Sequence, residues 1–303
     1  MDLNTILLTC AALFPAIALC IYVFRKDRVE KEPMGLLLLL LAMGALSCFP
    51  AAELEEILLG GFRKFFVSFG REENGTLYLP TPIFKLYKGL TYFVGVGLVE
   101  EALKFIVLLL FTRKNKNFNS LFDGLIYSVF VSLGFAALEN VMYVTRYGWL
   151  NAFTRAVMSV PAHMFFAVLM GYYYSLWHMY AMARAQERQL KAQGLILPQT
   201  KEYPVGRYLV LSLLMPVLAH GWYDYCCTVG TTLGTVMLYL FLLFLYIYCF
   251  GKIGKLSQGD MRDTAYSIVL VVRKYPHLAD YLARTAIRKG APPAEVPSDT
   301  QPE

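Results

Sequence analysis

Long apolar stretches alternate with short polar segments along most of this chain. Seven stretches approach the roughly 20 residues that a helix needs to cross a bilayer: 3–24, 34–52, 90–111, 121–145, 157–180, 207–227 and 231–250. The pattern predicts an all-α, polytopic transmembrane helix bundle of about seven spans. Residues 1–255 are expected to form this unit, with its chemistry between about 90 and 227. Residues 256–303 are expected to form a cytoplasmic tail, partly helical and then disordered.

The overall composition points the same way. Of the 303 residues, 57% are hydrophobic and 17% are charged, against about 45–50% and about 25% in a soluble domain. These values exclude a large soluble enzyme and a disordered chain. The net charge of +6 indicates basic loops rather than a nucleic-acid surface, because the sequence has no basic stripe with interleaved aromatic residues.

The distribution of Lys and Arg predicts the orientation of the protein. The first, third and fifth loops together with the tail carry 20 of these residues, and the intervening loops carry 7. Cytoplasmic loops are enriched in Lys and Arg. We therefore expect the N-terminus outside and the C-terminus in the cytoplasm.

Ionisable side chains interrupt four of the predicted spans, where they are costly and are functional candidates by default. In the third span, Glu100 and Glu101 lie four and three residues before Lys104, so both carboxylates can reach one ammonium group. Two carboxylates with one cation leave a charge that a proton, a metal or an imidazolium must offset. Such a site favours a general base; the alternative is a structural ion pair between helices.

The other three spans carry further polar groups. Glu139 and Asn140 interrupt an apolar run, and His163 lies near the start of the next span. His220 and Asp224 share one helix face. An i,i+4 His–Asp pair suits two metal ligands or an aspartate that orients an imidazole. At 1.5 Å per residue, these groups and Glu100 in the third span lie roughly 5–15 Å from the same side of the membrane. Their common depth predicts one polar cavity in the outer half of the bilayer.

These segments, taken in order, resemble the PrsW-type intramembrane proteases, which are related to the CAAX prenyl endopeptidases. The resemblance covers about residues 95–225 and rests on the Glu-Glu-x-x-Lys motif in Val99–Lys104, on Asp123–Tyr127 with Gly134–Asn140, on Pro161–His163 and on Ala219–Asp224. The CAAX relatives carry a histidine where this chain has Glu139, and typically an asparagine where it has Asp224. The site of this chain is therefore expected to be more acidic and more suited to a metal.

The resemblance implies an endopeptidase of the bacterial inner membrane that makes the extracytoplasmic-side (site-1) cut in a single-pass membrane protein such as an anti-sigma factor. The expected catalytic residues are Glu100, Glu101, Glu139, His163, His220 and Asp224, supported by Lys104 and Asn140. Two schemes stay open. In one, Glu100 activates water without a metal. In the other, a divalent ion (zinc, manganese or iron) binds the water, with ligands from Glu100, Glu139, His163 and His220.

Two other functions would use the same kind of residues. A proton- or ion-coupled transporter employs buried Glu–Lys and His–Asp pairs as relays. Transporters usually show inverted repeats and a midplane site, whereas this chain shows no repeat and its polar groups lie off-centre. A non-catalytic membrane scaffold is the third alternative, and it predicts that apolar residues could replace the carboxylates with little functional loss.

Overall fold

A computed structural model describes residues 2–28 and 30–288, and these are almost entirely helical. The helices are α1 (Leu3–Lys26), α2 (Met34–Leu46), α3 (Cys48–Val67), α4 (Thr81–Gly89), α5 (Val99–Thr112), α6 (Asp123–Tyr147), α7 (Trp149–Val157), α8 (Ser159–Ala192), α9 (Gly206–Thr228), α10 (Thr232–Gln258), α11 (Asp263–Lys274) and α12 (Ala279–Arg288). A π-helical segment (Leu90–Leu98) leads into α5, and a 3₁₀ turn (Pro276–Leu278) precedes α12. The predicted all-α polytopic class is confirmed.

All seven predicted spans fall on helices, but the helices differ in their ability to cross a bilayer alone. Within the described residues, five helical stretches are long and apolar enough to do so: Leu3–Lys26, Met34–Val67, Asp123–Tyr147, Trp149–Ala192 and Thr232–Gln258. The segment from Leu90 to Thr112 and α9 are helical without meeting that criterion. The number of seven spans therefore stays a prediction.

The centre of the bundle is formed by α6 and α8. Every residue of α6 from Asp123 to Ala136 is buried. Glycines allow α2 to pack very closely against it, because a Cβ at Gly44 or Gly134 would lie 2.0 Å from a carbonyl oxygen of the facing helix. Small residues are the usual means by which transmembrane helices approach each other this closely. This tight packing fixes α6, which carries a polar group at each end.

Two segments that the sequence assigned to loops are helical. The region after residue 52 continues as α3 to Val67, then forms a hairpin of strands β1 (Arg71–Glu73) and β2 (Thr76–Tyr78), and returns through α4. Asn74 and Gly75 have positive φ angles of 48° and 76°, as an Asn-Gly hairpin turn requires. The loop between the fourth and fifth predicted spans contains α7. Both helices carry side chains that reach the cavity described below.

The tail begins later than predicted and contains helices. α10 ends at Gln258, three residues beyond the predicted boundary at 255. Helix α11 follows and packs against the C-terminal half of α8, where the two share a small apolar cluster that includes Ala183, Leu190 and Leu270. The predicted disordered end of the tail lies at 289–303, outside the described residues.

Candidate active site

One end of the bundle contains a cavity of about 450 Å³. Residues from α3, the π-helical segment, α5, α6, α7, α8 and α9 line it. Its polar lining consists of Glu55, Tyr92, Glu100, Glu139, Tyr143, Arg155, Ser159, His163, His220, Tyr223, Asp224 and Thr228. Five of the six expected catalytic residues are in this list, and the sixth, Glu101, lies directly behind them. The structure therefore brings together the groups that the sequence placed at a common depth.

Two glycines allow the helices that carry Glu100 and His220 to meet. A Cβ at Gly97 would lie 3.0–3.3 Å from backbone atoms of Tyr92, Gly221 and Val217, and a Cβ at Gly221 would lie 2.6 Å from the ring of Phe93. No larger side chain fits either position without displacing a neighbour. The π-helical segment, a form that is often found at functional sites, ends immediately before Glu100. Local sequence thus determines how α5 and α9 approach each other.

The ammonium group of Lys104 is the centre of the charge network. Its Nζ donates to Glu100 Oε2 at 2.9 Å and to Glu101 Oε1 at 2.8 Å, and it contacts His163 Nδ1 at 3.2 Å. The Lys104 side chain is 1% exposed, and Nζ also lies 4.1 Å from the centre of the Phe135 ring. A buried lysine that satisfies three acceptors holds the two glutamates and one imidazole in fixed positions.

His163 has a partner on each ring nitrogen. Nδ1 faces the Lys104 ammonium, which can only donate, so Nδ1 must accept. Nε2 lies 3.0 Å from Glu139 Oε2 and donates to it. The hydrogen-bond geometry thus assigns a ring proton to Nε2 and gives both ring nitrogens a protein partner.

Arg155 of α7 holds Glu139 from the other side. Its Nη2 donates to Glu139 Oε2 at 2.8 Å and its Nε donates to Asn140 Oδ1, also at 2.8 Å. The guanidinium carbon lies 4.3 Å from the centre of the Tyr143 ring. Asn140 in turn donates to the carbonyl oxygen of Ala12, which connects this group to α1.

His220 lies between carboxylates. Its Nδ1 is 2.9 Å from Glu101 Oε1 and 3.9 Å from Glu100 Oε2, and its Nε2 is 3.4 Å from Asp224 Oδ2. The ring stacks on Phe166, with centroids 4.9 Å apart. Because both nitrogens face acceptors, the geometry favours the doubly protonated imidazolium. The Nε2–Asp224 contact is long, so this N–H can also donate to another acceptor in the cavity.

Glu100 differs from its neighbour Glu101 in what its second oxygen meets. One oxygen of Glu100 accepts from Lys104, and the other has no hydrogen-bond partner among the described residues while the side chain lines the cavity. Glu101 Oε2 is also unpartnered, but it is buried and away from the cavity lining. Glu100 is thus the carboxylate available to a bound water.

The donor set does not fit a resident metal. Within the described residues, the one group of three metal-ligating side chains with ligand atoms within 4.8 Å of one another is Glu100, Glu101 and His163. These three residues are the hydrogen-bond partners of Lys104 Nζ, so the ammonium already occupies the position where a cation would bind. The set expected from sequence also included Glu139 and His220, but Glu139 is bound by Arg155 and His163, and His220 lies between Glu101 and Asp224.

The sequence analysis missed two charged residues of the cavity, Arg155 and Glu55. Both were assigned to polar loops, and both lie on helices that run past the predicted span ends. The signal for α7 was an amphipathic stretch around Arg155 whose apolar residues Trp149, Leu150 and Phe153 are exposed at 51%, 81% and 71%. The signal for Glu55 was a strongly helix-forming run from Ala51 to Leu59.

Comparison with known proteins identifies relatives over most of the chain. The family model described as PrsW family intramembrane metalloprotease matches residues 32–250, which include every cavity residue. Relatives named Protease PrsW are 29% identical over 245 residues in Bacillus subtilis (80% of this chain, 90% of the relative), 30% over 250 in Clostridioides difficile (80% and 89%) and 30% over 253 in Shouchella clausii (84% and 97%). No solved structure gives a significant match.

Proposed function

Because this chain belongs to the PrsW family of intramembrane proteases, we propose that it hydrolyses a peptide bond of a membrane-tethered protein inside the cavity, with Glu100 as the general base. Family membership makes the protein a multi-pass membrane protease. The observation that carries the catalytic proposal is the position of Glu100, which has one oxygen bound to Lys104 and the other directed to no protein partner beside the cavity.

The reaction begins with a water molecule held by Glu100. Glu100 takes one proton from it, and the hydroxide oxygen adds to the scissile carbonyl carbon. Glu100 then gives the proton to the leaving nitrogen, the C–N bond breaks, and the products are a carboxylic acid and an amine. Lys104 keeps Glu100 oriented throughout. General base catalysis of this kind contributes about 10²–10⁴-fold to the rate.

His220 supplies the positive charge that the tetrahedral oxyanion needs. Its Nε2–H is only loosely bound to Asp224 at 3.4 Å, so it can donate to the carbonyl oxygen. Glu101 accepts from Nδ1 and keeps the ring in place. Loss of one oxyanion donor costs an enzyme about 10²–10³ in rate. His163, Glu139 and Arg155 act as positioning residues, since each has its polar atoms bound to another.

No step of this mechanism passes through a metal, because Lys104 fills the convergent donor set. Zinc or another divalent ion was an open alternative in the sequence. Protein treated with a chelator and freed of it by gel filtration is expected to keep its activity. Activity that disappears and returns only with added metal would contradict this part of the proposal.

The proposed substrate is a single-pass membrane protein, and an anti-sigma factor is the first one to test. This substrate class rests on the family resemblance of the motifs. The cut would be made on the extracytoplasmic side of the inner membrane, because the Lys and Arg distribution puts the cavity end of the bundle there. Family membership favours a protease over the transporter and scaffold alternatives.

The Glu100→Gln variant tests the mechanism. Glutamine keeps a hydrogen-bond acceptor for Lys104 but is too weak a base to deprotonate water, so we expect cleavage to fall by at least about 100-fold. Purified protein in detergent would be incubated with a single-pass substrate, and the products identified by mass spectrometry. Glu53→Gln, at an exposed position of α3, is the matched control. Near-normal cleavage by folded Glu100→Gln protein refutes the assignment.

A further inference from the structure

Helix α3 presents one face to the cavity, and that face contains a single charged residue. Cys48, Ala51, Ala52, Glu55 and Leu59 all line the cavity, at the spacing of one helix face. Glu55 is half-buried, whereas Glu53 and Glu56 on the other sides of the helix are exposed. Glu55 is thus partly shielded from bulk solvent and lines the space where a substrate must bind.

The other acidic side chains of the cavity each have a nitrogen partner. Glu100 pairs with Lys104 at 2.9 Å, Glu139 with Arg155 at 2.8 Å, and Asp224 with His220 at 3.4 Å. Glu55 forms no hydrogen bond or ion pair within the described part of the chain. Its neighbours one turn away are Ala51, Ala52, Leu58 and Leu59, so the helix itself offers it no cation.

The cations of the cavity cannot turn to Glu55 without leaving a carboxylate unpaired. Lys104 already contacts three acceptors, and Arg155 binds both Glu139 and Asn140. Removing one partner of a buried ion pair is strongly unfavourable. A half-buried carboxylate without a cation is itself costly, and the substrate is the molecule that enters this cavity.

We propose that Glu55 forms a subsite for a basic side chain of the substrate, a lysine or arginine close to the scissile bond. The inference rests on the proposed protease function. Ala51 and Ala52 leave room beside the carboxylate for a long side chain, and Leu59 provides an apolar wall for its methylene groups. The negative charges of Glu100 and Glu139 lie in the same cavity and add to the attraction for a cation.

The test compares substrates that differ at one position. A single-pass substrate would carry Lys, Gln or Glu in turn at each of the residues flanking the cut, and kcat/KM would be measured for each. Wild-type protein is expected to prefer Lys to Gln about tenfold at one of these positions, mainly through KM, as an ion pair in a partly desolvated site provides. The Glu55→Gln variant should cleave the Lys and Gln substrates equally well, and Glu55→Lys should prefer Glu.

Matched controls separate this inference from the proposed function. Glu56→Gln, one residue further on an exposed face, should keep the preference of the wild type. An unchanged preference in Glu55→Gln overturns the subsite, as does a wild-type protein with no preference for a basic residue at any position. An equal loss of kcat on all substrates would also overturn it, because Glu55 would then act in the chemistry. Activity retained by Glu100→Gln would instead contradict the catalytic mechanism and leave the subsite result readable.

Discussion

The two ends of α6 carry buried polar clusters of opposite character. At one end, Glu139 belongs to the cavity cluster, in which carboxylates contact lysine, arginine and imidazole nitrogens. At the other end, about 24 Å away along the helix, Asp123 belongs to an acidic cluster with Asp27, Glu32 and Asp260. The described structure shows a cavity beside the first cluster, and the second fills the junction of three loops.

The acidic cluster receives its hydrogen bonds from neutral donors, and one oxygen each of Asp27 and Asp260 is buried without a partner among the described residues. Asp123 accepts from the backbone N–H of Asn119 at 2.8 Å and from the backbone and hydroxyl of Ser120 at 2.6 and 2.7 Å. Glu32 accepts from the Tyr127 hydroxyl at 2.5 Å. Glu32 N donates to Asp27 within the loop after α1, and Phe122 N donates to Asp260 in the loop after α10. The Tyr127–Glu32 and Phe122–Asp260 bonds join these two loops to the start of α6.

The difference separates a chemical site from a structural one. In the cavity, carboxylates lie against fixed positive charges, with Glu100 and Glu101 on Lys104 and Glu139 on Arg155. In the acidic cluster, burial and the neighbouring carboxylates raise the pKa of Glu32 to about 8, and burial raises the pKa of Asp260 to about 6. Glu32 is therefore largely protonated at neutral pH. Buried polar groups alone do not identify an active site; their partners and their access to a cavity do.

The largest effect is expected from removing the cation of the cavity cluster. Lys104→Met keeps the length of the side chain but removes the ammonium partner that Glu100 and Glu101 share. We expect the free energy of unfolding to fall by about 3–5 kcal/mol and cleavage to be lost. Thermal unfolding in detergent measures the first effect and the substrate assay the second.

A double variant checks the cause of that loss. Glu101→Gln combined with Lys104→Met removes a charge of each sign and should be more stable than Lys104→Met alone. If the double variant were the less stable of the two, charge pairing would not be what holds the cavity cluster together.

The sequence predicted the cavity residues well because each of them interrupts an apolar run. Glu100, Glu139 and His220 are visible as polar residues at one depth of the membrane, and helix geometry converts that depth into proximity. The partners of these residues were less predictable. That His163 contacts Lys104, 59 residues away, depends on how α5 and α8 pack, which the polarity pattern does not encode.

The two charged residues that the sequence analysis missed lie just outside the ends of predicted spans. Arg155 and Glu55 follow or precede apolar spans, so composition alone assigns them to loops. Their helices are amphipathic, and one face of each returns to the cavity. A polar residue near a span end can therefore belong to the site as much as one in its middle.

A smaller effect is expected from Arg155, which links α7 to the cavity. Arg155→Met removes one hydrogen bond to Glu139 and one to Asn140, and hydrogen bonds to charged groups contribute about 1.5–3 kcal/mol. If that energy serves to position His163, kcat should fall by about 10–100-fold with little change in KM.

The control for Arg155 is Arg146→Met, in the exposed last turn of α6, which should behave as the wild type. Arg155→Lys should recover part of kcat, since the ammonium can still pair with Glu139. A change confined to thermal stability, with kcat intact, would show that Arg155 has only a structural role, as the acidic cluster does.

The smallest effect is expected from Glu32, at the structural end of α6. Its folded pKa of about 8 lies above the ordinary value of 4.5, so the folded protein binds this proton more tightly than the unfolded chain. The free energy of unfolding should therefore fall as the pH rises from about 4.5 to about 8, and this group adds no further loss above that range. Glu32→Gln stays neutral and still accepts from Tyr127, so it should flatten this dependence by about 1 kcal/mol or more. Unfolding midpoints at pH 5, 6.5 and 8 measure the slope, with Glu30→Gln, an exposed neighbour that pairs with Arg262 at 3.2 Å, as control.

A Glu32→Gln protein that keeps the wild-type slope would show that Asp27 or Asp260 holds the proton. Cleavage at pH 7 should be the same in both variants, because neither residue contacts the cavity.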